Sequence, residues 1–173
     1  KAIKKYKVIA RFLIARLFYN DALITIFALG GVYAVEALNF SYIEILVLGV
    51  VLNICAASGS FIFGRVEDKI GPKKTIEWSI LILIIAVQFA YLSPELNSIG
   101  LSKHLFWLAG ILLGLMTGPA QSCSRSLMAR LTPRDKINEF FGFYAFTGKA
   151  TSFLGPFLFG ILVYNFSPQA GLL

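Results

Sequence analysis

Five long apolar blocks follow one another along the chain, separated by short polar punctuation, at 8–38, 42–66, 73–92, 103–131 and 133–164. Each is long enough, as a helix, to cross a hydrocarbon layer about 30 Å thick. The blocks are apolar all round and do not alternate in the way a half-buried strand or a surface helix would. A chain of 173 residues cannot hide five such helices from water. The pattern therefore predicts an all-α membrane protein with five transmembrane helices.

The punctuation agrees. Ser41 with Glu44 three residues on forms a capping-box signature at the start of the second block. Gly71 supplies a flexible corner, and Pro72 suits the first turn of the third helix. Ser93-Pro94 ends that helix, because proline restricts its predecessor and cannot continue the ladder. Thr132-Pro133 opens the fifth block as cap and first position, with Asp135 in the first turn. Ser167–Leu173 reads as the beginning of a sixth element.

Composition moves the same way. Hydrophobic residues make up 57% and charged residues 14%, against roughly 45–50% and 25% in soluble domains. Mean hydropathy is +0.75. The net charge of +7 does not indicate nucleic acid, because the cations gather at helix ends and not along one face. With alternating spans, all but two of the 16 Lys and Arg, namely Lys103 and Lys149, fall on one side. That asymmetry reads as positive-inside and puts the N-terminus and residues 64–74 in the cytoplasm. There is no cleavable signal pattern. The start without Met and the stop soon after an apolar block lead us to expect a fragment of a longer protein. Cys55 and Cys123 lie within apolar runs and read as packed thiols.

No catalytic constellation, metal-ligand cluster or cofactor-binding loop stands out, and the single histidine, His104, reads as a surface residue. The informative residues are polar ones inside apolar blocks. Asn20 and Asp21 in the first block and Lys149 in the fifth fall at similar depth. Ionisable groups at such depth either serve a substrate cavity or relay, or pair to lock two helices together. Gly110, Gly114 and Gly118 form a ridge of small residues that admits a neighbouring backbone. Gly118-Pro119 and Gly155-Pro156 are expected kink sites. Beside the first lie Gln121, Ser122 and Arg125. They would contact a polar solute at an interrupted helix; alternatively, hydroxyls satisfy the kink and Arg125 snorkels to the interface. The third block has only Gln88 as a polar interruption and is expected to be peripheral, leaving the first, fourth and fifth to line the interior.

The stretch GRVEDKIGPKK, residues 64–74, resembles the signature Gly-x-x-x-Asp-Arg-x-Gly-Arg-Lys of the major facilitator superfamily. Gly64, Asp68, Gly71, Lys73 and Lys74 match it, Lys69 replaces an Arg with the charge kept, and Pro72 replaces the other Arg. FYNDALITI at Phe18–Ile26 and FFGFYAFTGKATSFLGPFLFG at Phe140–Gly160 resemble the vacuole-effluxer branch of that superfamily. The resemblance implies five spans of a six-helix half, the C-terminal one, with its sixth helix and the N-terminal half missing. It implies secondary active transport of a small polar, amino-acid-like solute by alternating access, with the first and fourth helices lining the cavity. Asp68 and Lys69 would form a gating latch near the start of the fifth helix, and Asp21 and Glu36 make proton coupling an expectation. The partners implied are the lipid bilayer and a small-molecule substrate, in a bacterial inner membrane or a vacuolar or plasma membrane. Rival readings are an antiporter for drugs, peptides or siderophores, or a non-transporting scaffold or receptor of the same fold.

Overall fold

In the computed structural model of the chain, the apolar blocks are helices. The structure describes residues 2–149 and 152–165. Six α-helices lie among them: α1 Ala2–Leu38, α2 Tyr42–Ile70, α3 Pro72–Leu92, α4 Ser102–Leu131, α5 Ile137–Thr147 and α6 Leu154–Asn165. Four of these, α1 to α4, are long and apolar enough to span a membrane, and α6 is a shorter apolar helix. The expected beginning of a sixth element at 167–173 lies outside the described residues.

The start of α2 forms as the sequence predicts. Ser41 Oγ accepts from the Glu44 backbone N–H, and Glu44 Oε2 accepts from the Ser41 N–H at 2.7 Å. Its end does not. The charged stretch 64–74 is not a loop, because Glu67, Asp68 and Lys69 continue α2 to Ile70. The corner is Gly71 alone, at φ 84°, which favours glycine. Its N–H donates to the Glu67 carbonyl at 2.8 Å, and Pro72 begins α3 at once.

The packing centre is α4, held between α2 and α3. The seam with α2 is built from glycine on both sides. A Cβ on Gly114 would lie 2.8 Å from both Cys55 Cβ and the Leu52 carbonyl oxygen. One on Gly118 would strike Ser60 Oγ and the Ala56 carbonyl, and one on Gly59 would strike the Leu115 carbonyl. That last carbonyl is the one Pro119 cannot serve, since proline has no N–H for the acceptor four residues earlier. Close approach by Gly59 fills the gap. α4 is not interrupted at the Gly118-Pro119 kink site: the helix is continuous, and Pro119 is fully buried. Nearby, the Thr117 and Ser122 hydroxyls donate to the Leu113 and Pro119 carbonyls.

The third span is only half peripheral. Thr75, Ile76, Ser79, Leu83, Ala86 and Ala90 are buried, while Trp78, Leu81 and Ile84 are exposed. The face toward α4 is made mostly of small residues, which simple hydropathy does not distinguish from a lipid face.

The largest departure is in the fifth span. After a 3-10 turn at Arg134–Lys136 it runs as α5, stops at Thr147, and resumes as α6 at Leu154. The interruption lies upstream of the expected kink. Pro156, in the first turn of α6, has no N–H for the Ser152 carbonyl, so that turn lacks one ladder bond. Phe157 N–H bonds the Phe153 carbonyl at 3.1 Å, marking the first regular turn after the break.

Candidate functional site

α1 carries two pairs one turn apart, Arg16 with Asn20 and Asp21 with Thr25, on adjoining sides of the helix. All four meet the broken fifth span. Arg16 is buried, 9% exposed. Its Nη1 donates to the Tyr144 carbonyl at 2.9 Å and to Thr147 Oγ1 at 3.3 Å. Its guanidinium stands over the Tyr144 ring, 3.6 Å from the centroid. Asn20, also buried, donates from Nδ2 to the Gly148 carbonyl at 3.1 Å. The end of α5 thus receives a cation and an amide, both suited to its exposed carbonyls and the negative pole of its dipole.

Five residues on from Arg16 the charge reverses. Asp21 lies against the first turn of α6, where a Cβ on Gly155 would lie 3.2 Å from its Oδ2. The same Cβ would overlap Thr25 Oγ1. Only glycine lets α6 come this close. A carboxylate beside the N-terminal turn of a helix is electrostatically favoured. Asp21 Oδ1 is buried and has no hydrogen-bond partner among the described residues. An acceptor left unpartnered in a low-dielectric setting is costly, so it is available to a donor that arrives.

Beside this turn of α1, Tyr19 reaches α4 through a short hydrogen bond between its hydroxyl and Ser124 Oγ. Lys149, just past the end of α5, is exposed and belongs to none of the three ion pairs found among the described residues. It shares the break with Asp21 and makes no ion pair with it. Gln121, Ser122 and Arg125 are exposed on the face of α4 left uncovered by α2 and α3. A separate cavity of about 70 Å³ lies between α1, α2, α3 and α4, lined by Phe27, Gly30, Leu48, Phe106 and Gly110 among others. Its walls are apolar, and the Tyr33 hydroxyl is already donated to the Ala90 carbonyl. It offers nothing to anchor a polar solute.

At the Gly71 end, Asp68 and Lys69 are exposed. The adjacent Glu67 is the residue that reaches another helix, with Oε1 3.7 Å from Arg130 Nη2 of α4. Lys73 pairs with Glu77 one turn along α3, on an exposed face, at 3.6 Å. Sequence reasoning missed Glu67, Arg16 and the Tyr19–Ser124 bridge. Arg16 had a usable signal: it lies four and five residues before Asn20 and Asp21, well inside the apolar block.

The fold and this polar turn define an all-helical integral membrane protein whose last apolar block is divided into α5 and α6 against polar side chains of α1. The chain matches the family described as vacuole effluxer Atg22 like over residues 1–166. It belongs to that family. It is 31% identical over 161 residues to the uncharacterized MFS-type transporter YxiO of Bacillus subtilis, covering 93% of this chain and 36% of the relative. It is 30% identical over 156 residues to autophagy-related protein 22 of Candida glabrata, covering 87% and 29%. The Saccharomyces cerevisiae protein of the same name is 29% identical over 156 residues, covering 87% and 29%. The chain spans about a third of the length of these relatives. No solved structure matches it.

Proposed function

We propose that the chain is part of a secondary active transporter that carries a small zwitterionic, amino-acid-like solute, with the break in the fifth span as its binding site. One observation supports the reading: Asp21 Oδ1, buried and without a hydrogen-bond partner among the described residues, lies beside an interrupted helix. An ammonium group would satisfy that oxygen. The first-turn N–H groups of α6 and the exposed Lys149 would take a carboxylate. The same carboxyl serves as the proton-coupling group. Gln121, Ser122 and Arg125 extend the polar wall along the open face of α4.

The remaining parts follow the family architecture. This chain forms five spans of the C-terminal half, a second half completes the cavity, and the N-terminus and the Gly71 corner are cytoplasmic. Asp68 and Lys69, exposed at that corner, gate against the fifth span or the other half as the transporter turns inward. Their test is cysteine accessibility of the cavity, which Asp68→Asn is expected to shift toward the inward-open state; no shift removes them from the gate.

The decisive experiment is uptake into proteoliposomes by the full-length protein, with a panel of ¹⁴C-labelled L-amino acids and an imposed proton gradient. Asp21→Asn and Lys149→Ala are each expected to abolish flux while the protein remains folded. Normal flux in both variants would overturn the site. Flux of peptides, drugs or siderophores but of no amino acid would overturn the solute class.

A further inference from the structure

We propose that Arg16 is a positioning residue that fixes the α5 end of the break to α1, so that the two helices move as one body. Four observations converge on this side chain. It is nine-tenths buried within an apolar span and makes no ion pair among the described residues. A buried cation without a carboxylate must find its negative charge elsewhere. It finds it at the end of α5, where the Tyr144 carbonyl accepts from Nη1 at 2.9 Å. The guanidinium plane is backed by the Tyr144 ring, and Thr147 Oγ1 takes a second contact from Nη1. Gly148 makes the approach possible, since a Cβ there would lie 3.1 Å from Nη1 and 3.2 Å from Nη2.

The consequence is mechanical. If α5 slid away from α1, Arg16 would be left in hydrocarbon without its carbonyls, and the ring face would lose its cation. Both helices are cheaper to move together. Asn20 adds a second tether, from the next turn of α1 to the Gly148 carbonyl. Because Asp21 follows at once in α1, its placement beside α6 depends on that joint. Lysine would keep the cation but has neither the planar fork nor the stacking face.

Spin-label distances test this in the full-length protein, in a Cys55→Ala, Cys123→Ala background. One label pair joins Ile14→Cys on α1 to Phe143→Cys on α5, both exposed. A control pair joins Ile54→Cys on α2 to Leu108→Cys on α4, also exposed. Arg16→Gln is expected to broaden the α1–α5 distribution about twofold and leave the control unchanged, as for a lost tether between two packed helices. Arg16→Lys is expected to restore part of the narrow distribution. An unchanged α1–α5 width in Arg16→Gln, or a Lys variant as broad as Gln, overturns the proposal. Should Arg16→Gln also disturb the control pair, Arg16→Met decides: it removes the guanidinium and leaves no buried polar group in its place, and an unchanged α1–α5 width there overturns the joint. A flux arm rests on the transport reading above, whereas the distance arm stands without it. With the ¹⁴C-labelled L-amino acid panel, Arg16→Gln is expected to lower maximal flux about tenfold and keep KM within about twofold. A rise in KM with maximal flux retained would make Arg16 a substrate contact instead.

Discussion

Glu67 Oε1 lies 3.7 Å from Arg130 Nη2, joining α2 to α4 at the Gly71 end of the bundle. At the opposite end of the same two helices Lys103 Nζ lies 2.9 Å from Glu44 Oε1. The glycine seam runs between these two ties. Glu67 is largely covered, at 12% side-chain exposure, while Arg130 is 59% exposed, so the pair is worth at most about 1 kcal/mol. Glu67→Gln is expected to lower the thermal unfolding midpoint in detergent slightly and to loosen an α2–α4 crosslink at that end. Asp68→Asn is expected to change neither. Equal effects of the two variants would contradict the placement of Glu67 as the inter-helix residue.

The seam makes a sharper stability prediction. Gly114→Ala puts a Cβ at 2.8 Å from a backbone carbonyl oxygen, and such overpacking costs about 1–3 kcal/mol. Gly49→Ala in α2 meets nothing within 4 Å and is expected to be neutral or slightly stabilising in a helix. Thermal unfolding of the two variants side by side checks this; a Gly114→Ala protein as stable as the parent would refute the close approach.

Gly155 and Thr25 form a pair that compensates. Gly155→Ala is expected to push α6 off α1, because its Cβ would overlap Thr25 Oγ1. Removing that hydroxyl in Gly155→Ala, Thr25→Ala leaves Thr25 Cβ at 3.1 Å, a tight but adjustable contact. The double variant should recover most of the crosslinking between cysteines placed at exposed positions of α1 and α6. A double variant no better than the single one would show that the obstruction lies elsewhere.

Tyr19→Phe removes the hydrogen bond from α1 to Ser124 of α4 and little else. Ser124 keeps its bond to the Ala120 carbonyl, so no buried hydroxyl is stranded. The expected loss is about 0.6 kcal/mol, typical of side-chain hydrogen bonds between membrane helices, read as a small drop in unfolding midpoint with the α2–α4 spin-label distances unchanged.

The helices and their order were legible from block lengths, and the Ser41–Glu44 box was legible in detail, because both depend on local sequence. The glycine ridge of α4 was legible as a ridge. Its partner Gly59 was not, because what calls for it is the Leu115 carbonyl freed by Pro119 on another helix. Gly155-Pro156 signalled a disturbance, but the break lies before it, between Thr147 and Leu154. Within the site, Asn20 and Asp21 were conspicuous as polar residues in an apolar run. Arg16 counted only among the cations of the N-terminal side, and its partners become apparent once α5 ends against it. Glu67 and Asp68 are adjacent and chemically alike; which of them faces α4 is set by the helical phase of α2, and that helix runs four residues beyond the expected boundary.

The interrupted fifth span also bears on how the protein is made. The ties among α2, α3 and α4 all lie within residues 42–131, so that unit can assemble as soon as α4 emerges. The contact from Arg16 to Tyr144 spans 128 residues. Until those residues are synthesised, α1 sits in the bilayer with Arg16, Asn20 and Asp21 unmatched, at roughly 2.5–3.5 kcal/mol for each charge near a span centre. The segment that completes them is itself a reluctant one, two short helices with Lys149 between them. α1, made before the other helices described here, is therefore among the last of them to be satisfied, and a nascent chain stopped before Tyr144 should remain held by the insertion machinery or its chaperones.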